Sequence, residues 1–409
     1  MKRRILLNFS HYITPKDPGG LRSWHIGTHL ALKGYSVVAI IPGVDTLTGK
    51  KRGNLKGKCW TKEVIDGVEV FWVNSFKNDR NSKIRRALYY LSFSILQAVV
   101  SVLVRRIDGI VCMSIPFTSV CYSYIQSIIR RVPVIVDVRD LPIDTAIELG
   151  YLKRNMLTNN ILKAERWLYK HADKLIAVSE GWESRLKEKG VSPSKINVVP
   201  LGFEGRGIYG KYIDWNRDIK AELDLKNKFV VAYVGTLGHV FDIAAVLNAA
   251  KRTSHIKRIV YLFAGGGQRL EEFSQIALEN DLNCIFLGPR PKSDVPLICS
   301  QVDVCICPYK KGKYVASILG NKIFDYMGNG TATVYSGPKG DVSKILEESN
   351  GGICVPAGDS IGIAEAIIFL YKNPDNLQLL GVNAKNHIEK SYNVRNMMLR
   401  FEKTIYNLL

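Results

Sequence analysis

Asp325 stands five positions after Gly320 in Gly320-Asn321-Lys322-Ile323-Phe324-Asp325-Tyr326-Met327-Gly328-Asn329-Gly330, where a glycine opens a short helix with one carboxylate on its inner face. A helix start presents unpaired backbone N–H groups and the positive end of the helix dipole, which suits a diphosphate. Asp325, a little more than one turn further on, can accept hydrogen bonds from sugar hydroxyls as ribose-binding carboxylates do. Together they read as a grip for a nucleotide sugar. The same residues would also make a glycine-started core helix with a surface aspartate. In the first reading Gly320 must stay small, both to let phosphates approach and to keep its backbone free.

A second candidate lies in Val132–Asp137 and the residues after it. Arg139 and Asp140 follow this apolar run, at the carboxyl end of a strand, where open α/β sheets bind ligands. Asp140 could orient a reacting group with Arg139 beside it; Asp144 and Glu180 are further carboxylates that could serve chemistry or cap helices. Other chemistry finds little support. His25 and His29 are spaced i, i+4 but lack the Glu of a zinc motif, and there is no Walker loop, G-x-S-x-G elbow or D-x-D metal motif. Gly265-Gly266-Gly267-Gln268 follows a strand and opens a helix, yet lacks the G-x-G-x-x-G spacing of a nicotinamide site. None of the eight cysteines forms a C-x-x-C pair. They read as reduced core residues of a cytosolic protein, with Cys305 and Cys307 on one face of a strand.

At 409 residues the chain exceeds one ordinary core, so two domains of about 200 residues each are expected. Apolar runs at Arg4–Phe9, Ser36–Pro42, Gly109–Ser114, Val132–Asp137, Lys174–Ser179 and Ile196–Pro200 alternate with helical segments, as buried parallel strands do. The pattern restarts at Phe229–Gly235 and continues through Ile259–Ala264, Cys284–Gly288, Val302–Pro308 and Thr331–Ser336. The linker is expected at Gly202–Lys228, and Asp66-Gly67 signals a two-residue hairpin. The net charge of +20 is uneven: residues 1–200 hold 32 Lys+Arg against 16 Asp+Glu, the remainder 25 against 21. Such a field on one domain implies an anionic partner, and nucleic acid and anionic lipid both qualify. Ala87–Val104 carries no charge and is bracketed by Arg85-Arg86 and Arg105-Arg106. With Ser92, Ser94, Gln97 and Ser101 diluting it, it fits an interfacial helix or a buried helix of the sheet better than a membrane span.

Several motifs fall in the order of one family. Asp17-Pro18-Gly19-Gly20-Leu21-Arg22, Lys33-Gly34-Tyr35-Ser36-Val37, Val138–Asp144, Ala177–Gly181, Val198–Phe203, Tyr233–Gly238 and Phe263–Gly267 together resemble retaining glycosyltransferases of the GT-B fold, family 4. Within it the chain is similar to bacterial enzymes of the O-antigen type, the N-acetylfucosamine and colanic-acid transferase subgroup. The resemblance implies an α/β chain of two Rossmann-like, doubly wound parallel-sheet domains facing a central cleft. Residues 1–201 would bind the acceptor and 202–392 the donor, with a last helix at about 393–409 packing back on the first domain. It implies donor contacts at Ser317, Ile318, Leu319, Gly320, Lys322, Asp325, Gly238, Gly266 and Arg290, and acceptor contacts at Gly19, Gly20, Arg22 and Glu180. Asp140, Arg139 and Asp144 would form the catalytic group.

The departures are informative. Ser317 stands where the family's first Glu is expected, and Thr236 and Phe241 stand where an Arg and a Lys neutralise the diphosphate. The compensating cation would come from Arg290, Lys292, Lys310, Lys311, Lys313 or Lys322. The resemblance implies same-face transfer of a sugar, UDP-linked by family habit, to a lipid-linked saccharide. No metal and no other cofactor is expected. The enzyme would work in the cytoplasm at the anionic inner face of a bacterial plasma membrane, with no nucleic-acid partner. A sugar-nucleotide epimerase would use the same diphosphate grip but needs paired acid/base carboxylates. A nucleic-acid-binding protein, suggested by charge alone, lacks an aromatic-basic strand motif or recognition helix.

Overall fold

The computed structural model describes residues 2–17, 19–44, 51–76, 83–205 and 213–409. The side chains of Lys83, Ile84, Arg86 and Ala87, Pro18 of the glycine turn and residues 206–212 of the expected linker lie outside the described residues. The chain divides into two compact units: Met1–Thr14, Gly19–Pro200 and Asn396–Leu409 form one, Pro15–Pro18 and Leu201–Arg395 the other.

The first unit is built on β1 (Arg4–Asn8), β2 (Ser36–Pro42), β3 (Trp60–Ile65), β4 (Val68–Val73), β5 (Gly109–Met113), β6 (Val134–Val138), β7 (Lys174–Ala177) and β8 (Ile196–Val198). They lie in the order β3-β4-β2-β1-β5-β6-β7-β8. Every pairing is parallel except β3 with β4. Helices cover both faces of such a sheet, so β1, β2 and β5 are buried apolar runs without alternation. At the edge, Asp66 (φ 48°) and Gly67 (φ 82°) turn the β3–β4 hairpin through two left-handed residues, the backbone a type I′ turn requires. The last helix, Val394–Tyr406, returns to this unit from Asn396 on. The Phe401 ring lies 5.7 Å from the Arg22 guanidinium, Glu402 meets His29 at 2.8 Å, and Asn197 donates to the Thr404 hydroxyl.

The second unit is a six-stranded parallel sheet of β9 (Phe229–Val234), β10 (Ile259–Ala264), β11 (Cys284–Gly288), β12 (Val304–Pro308), β13 (Ala332–Ser336) and β14 (Gly352–Val355). Its order, β11-β10-β9-β12-β13-β14, reverses direction between β9 and β12. Open α/β sheets bind ligands at such a switch point, outside the carboxyl ends of the strands. The core around Val231, Val246, Ile259, Phe263, Ile306 and Ile367 holds the helices Ile243–Thr253 and Ser360–Lys372 on the sheet.

Candidate active site

At the switch point of the second unit the strands part early. β12 pairs with β9 only at Val304↔Val231 and Cys305↔Ala232. The peptide groups of Val234 are therefore free of the ladder, and the Tyr326 hydroxyl takes both, accepting from Val234 N at 2.8 Å and donating to Val234 O at 2.9 Å. This ties the helix Asn321–Gly328 to the end of β9. Gly320 precedes the helix with no side-chain cap, so the first-turn N–H groups keep their capacity for a ligand. Its φ of −81° is one that any residue adopts, so the expected need for backbone freedom is corrected. The constraint is steric: a Cβ would lie 3.2 Å from the Tyr309 hydroxyl.

The turns after β9 and β10 stack backbone on backbone. A Cβ at Gly265 would lie 1.9 Å from the Gly235 carbonyl, and one at Gly267 2.3 Å from that of Leu237. Leu237 N–H donates to the Gly266 carbonyl at 2.8 Å. Gly265 and Gly267 are thus glycines because two loops approach closely, whereas a Cβ at Gly238 would meet only its neighbour Thr236.

Two lysines converge on this helix. Lys322 runs its stem over Gly235, where a Cβ would lie 2.8 Å from Lys322 Cε. Its ammonium donates to the Tyr233 hydroxyl at 3.1 Å and lies 3.1, 4.7 and 5.8 Å from the ring centres of Phe241, Tyr233 and Tyr309. Burial pushes its pKa down to about 7, which Cys307 and Asp325 only partly oppose. Phe241 occupies the place where a basic residue was expected, and its ring is now the seat of a lysine from another element. Lys292, almost fully buried, sends Nζ to both carboxylate oxygens of Asp325 at 2.6 Å. Burial raises the Asp325 carboxyl, Lys292 pulls it down and the nearby Glu204 adds to the rise. The carboxylate keeps lone pairs for further donors.

In the first unit a buried charge network lies at the carboxyl ends of β1 and β6. Asp137, wholly buried in β6, receives Arg22 through Nε and a 2.8 Å bond from Nη2, and Arg139 through Nε at 2.9 Å. Burial alone would raise the Asp137 carboxyl; the two guanidiniums outweigh it and hold its pKa below the ordinary value. Arg139 also meets His11 Nε2 at 3.0 Å and donates to the Ser23 hydroxyl at 3.1 Å. Asp140 sits just past this network. Burial pushes its pKa up to about 7, with Arg139 pulling the other way.

Residues 20–202 match the Glycosyl transferase 4-like domain and residues 228–373 match Glycosyl transferases group 1. The chain carries the paired domains of a GT-B glycosyltransferase. It is 24% identical over 246 residues to an uncharacterized glycosyltransferase, MJ1069, of Methanocaldococcus jannaschii, covering 59% of this chain and 60% of that protein. The match therefore spans about three fifths of that relative's length. Among solved structures it is similar to Anabaena Alr3699/HepE in complex with UDP and glucose, with TM-score 0.73, 15% identity and full coverage of both chains. It is also similar to WaaG, a glycosyltransferase involved in lipopolysaccharide biosynthesis, with TM-score 0.68, 12% identity and 97% of each chain covered.

The structure of this glycosyltransferase sorts the expected residues. Lys322, Asp325, Gly320, Gly238 and Gly266 lie on the elements around the β9–β12 switch point, and Ser317 closes a short 3₁₀ turn before Ile318, Leu319 and Gly320. Arg290 follows β11; its Nε lacks a partner among the described residues, and its charge acts on Glu222. Arg22, expected to meet the acceptor, is 3% exposed and its guanidinium is engaged by Asp137 and by the Pro200 carbonyl at 3.0 Å. It staples the helix Arg22–Leu32 to β6. Gly19 sits at φ 126°, ahead of Gly20 and that helix. Asp144 is held at 2.7 Å by Lys189, which also binds buried Glu165 at 2.9 Å, so it anchors a helix. Glu180 opens the helix Glu180–Glu188 behind the Ser179 cap. Asp137 and Lys292's pairing escaped the sequence reading. An aspartate inside the apolar run Val134–Val138 was the available signal for the first.

Proposed function

We propose that this glycosyltransferase moves a sugar, with retention and without a metal ion, from a UDP-sugar to a lipid-linked saccharide in surface-polysaccharide synthesis at an anionic membrane face. The carrying observation is the buried Lys322 ammonium beside the uncapped start of the helix Asn321–Gly328 at the switch point. Glycosyl transfer from a nucleoside diphosphate needs charge stabilisation on the leaving group. Lys322 and the first-turn N–H groups supply it, and Asp325, oriented by Lys292, accepts from the ribose hydroxyls. Asp140, with Arg139 held by Asp137, orients the acceptor hydroxyl. The leaving phosphate takes the acceptor proton on the same face of the sugar, so no protein nucleophile is required.

UDP is supported by the ligand of the similar Anabaena protein, and a glycolipid acceptor by the lipopolysaccharide role named for WaaG. The excess of 32 Lys+Arg over 16 Asp+Glu in residues 1–200 supports a membrane face as the place of work. A melting-temperature screen of nucleotide sugars tests the donor, because a ligand bound only by the native state raises the transition. A rise with a UDP-sugar is expected; no rise with any nucleotide sugar would overturn the proposal.

A further inference from the structure

The neighbouring helices Lys83–Leu103 and Phe117–Arg130 on the first sheet carry rows of apolar side chains on their outer faces. On the first, Leu91, Ile95, Val99 and Val102 recur on one face and are 53, 54, 54 and 68% exposed, while Gln97 and Ser101 opposite them are fully buried. On the second, Ile125, Ile128 and Ile129 are 53, 61 and 74% exposed, while Ser119, Ser123 and Gln126 are buried. A helix that meets water at its outer face has the reverse pattern. The buried polar groups bond to one another and to the sheet. Gln97 donates to the Ile40 carbonyl, Ser119 to Gln97 Oε1 at 2.6 Å, Gln126 to the Ser101 hydroxyl at 2.7 Å and Asn8 to the Ser123 hydroxyl at 2.8 Å. Of the polar residues in the apolar run, Gln97 and Ser101 therefore face the protein, beside buried Tyr89, Phe93 and Val100.

Both helices connect parallel strands, so their carboxyl ends lie together, and Arg130 donates to the Ser101 carbonyl at 2.9 Å. Arg105, Arg106 and Arg131 are exposed at that end. Half-exposed Trp167 of the helix Met156–His171 packs edge-on against Tyr124 at 5.3 Å. Residues 83–131 hold seven Lys+Arg and a single acid, Asp108, which accepts from the Arg4 backbone N–H. A second copy of this face offers no acidic counterpart to the arginines. Lipid phosphates do, and the bilayer boundary takes apolar side chains beside them. No described helix is long and apolar enough to cross a membrane.

We infer that this two-helix face docks the enzyme on an anionic bilayer, its isoleucines, leucines and valines in the headgroup boundary and Arg105, Arg106 and Arg131 on lipid phosphates. The inference deepens the proposed membrane-face reaction and rests on it for the partner. The test uses the full chain and vesicles of phosphatidylcholine with and without phosphatidylglycerol, at low salt. The parent should sediment with the anionic vesicles, and brominated lipid should quench emission that is lost in Trp167→Phe. Changing Leu91, Ile95, Val99 and Ile128 to Ser, all exposed, should lower partition at least about tenfold with melting temperature and UDP-sugar binding unchanged. Changing Arg105, Arg106 and Arg131 to Gln should lower it about a hundredfold and flatten its salt dependence. Variants that bind like the parent would overturn this face while leaving a membrane role standing. A parent that ignores anionic vesicles would overturn both.

Discussion

Replacing Lys322 by methionine keeps the stem that crosses Gly235 and removes the ammonium alone. In the free protein that ammonium makes no ion pair among the described residues, and burial holds its pKa down from 10.5 to about 7. At 1.36 kcal/mol per pH unit, burial disfavours the charged form by roughly 5 kcal/mol, and contact with three aromatic rings returns about 1–2 kcal/mol of that. The sign follows from linkage: above 10.5 both states are neutral and nothing is lost, whereas stability falls as pH drops toward 7 because the unfolded chain takes the proton first. Lys322→Met should therefore stabilise the protein near pH 7 by roughly 3–4 kcal/mol, raising its melting temperature by about 6–16 °C, a gain that fades toward pH 10. Donor binding moves the other way. Loss of a charge-assisted contact to the diphosphate should weaken UDP-sugar affinity by about 10- to 150-fold. Calorimetric titration should also show parent affinity falling above pH 7, while the variant stays flat. A methionine variant that binds donor like the parent, or a parent affinity indifferent to pH, would refute Lys322 as the diphosphate cation.

Asp325→Asn leaves Lys292 buried and unpaired, so it should cost about 3–5 kcal/mol of stability as well as weakening donor at least about tenfold; normal donor affinity in the folded variant would remove Asp325 from the site. Breaking the Arg22–Asp137 pair by Arg22→Met should cost about 3–5 kcal/mol in urea unfolding, with part regained when Asp137→Asn is added; a loss confined to acceptor KM would count against this structural role. Asp140, raised from 3.8 to about 7, contributes stability that is full below 3.8 and lost as pH rises to 7. Asp140→Asn should flatten the melting temperature over that window and depress kcat; an unchanged pH profile would count against Asp140 as the titrating group.

The sheets were legible because parallel strands buried on both faces leave unbroken apolar runs, as in Val37–Ile41 and Val230–Val234. The Asp66-Gly67 turn was legible because only a few residues adopt two successive left-handed conformations. β14 was not, since Gly352–Val355 is short, half-exposed and begins on glycine. The charge-free run ending at Val104 marked a helix, but its direction of facing depended on Gln97 finding Ile40 and Ser119, contacts that no local period encodes. For the donor site, the helix and Asp325 could be read locally. The seat of Lys322 could not, because Tyr233, Phe241 and Tyr309 come from other elements and meet it only after the sheet forms.

Metal-independent, retaining transfer is measured on the product itself. The full chain should be incubated with UDP-sugars and a lipid-linked saccharide in excess EDTA, and the product's anomeric configuration read by NMR. The expected product is a glycosylated lipid with the donor's configuration, undiminished by the chelator and lost in Lys322→Met at low donor concentration. An inverted product, or turnover that vanishes in EDTA and returns with Mg²⁺ or Mn²⁺, would contradict it.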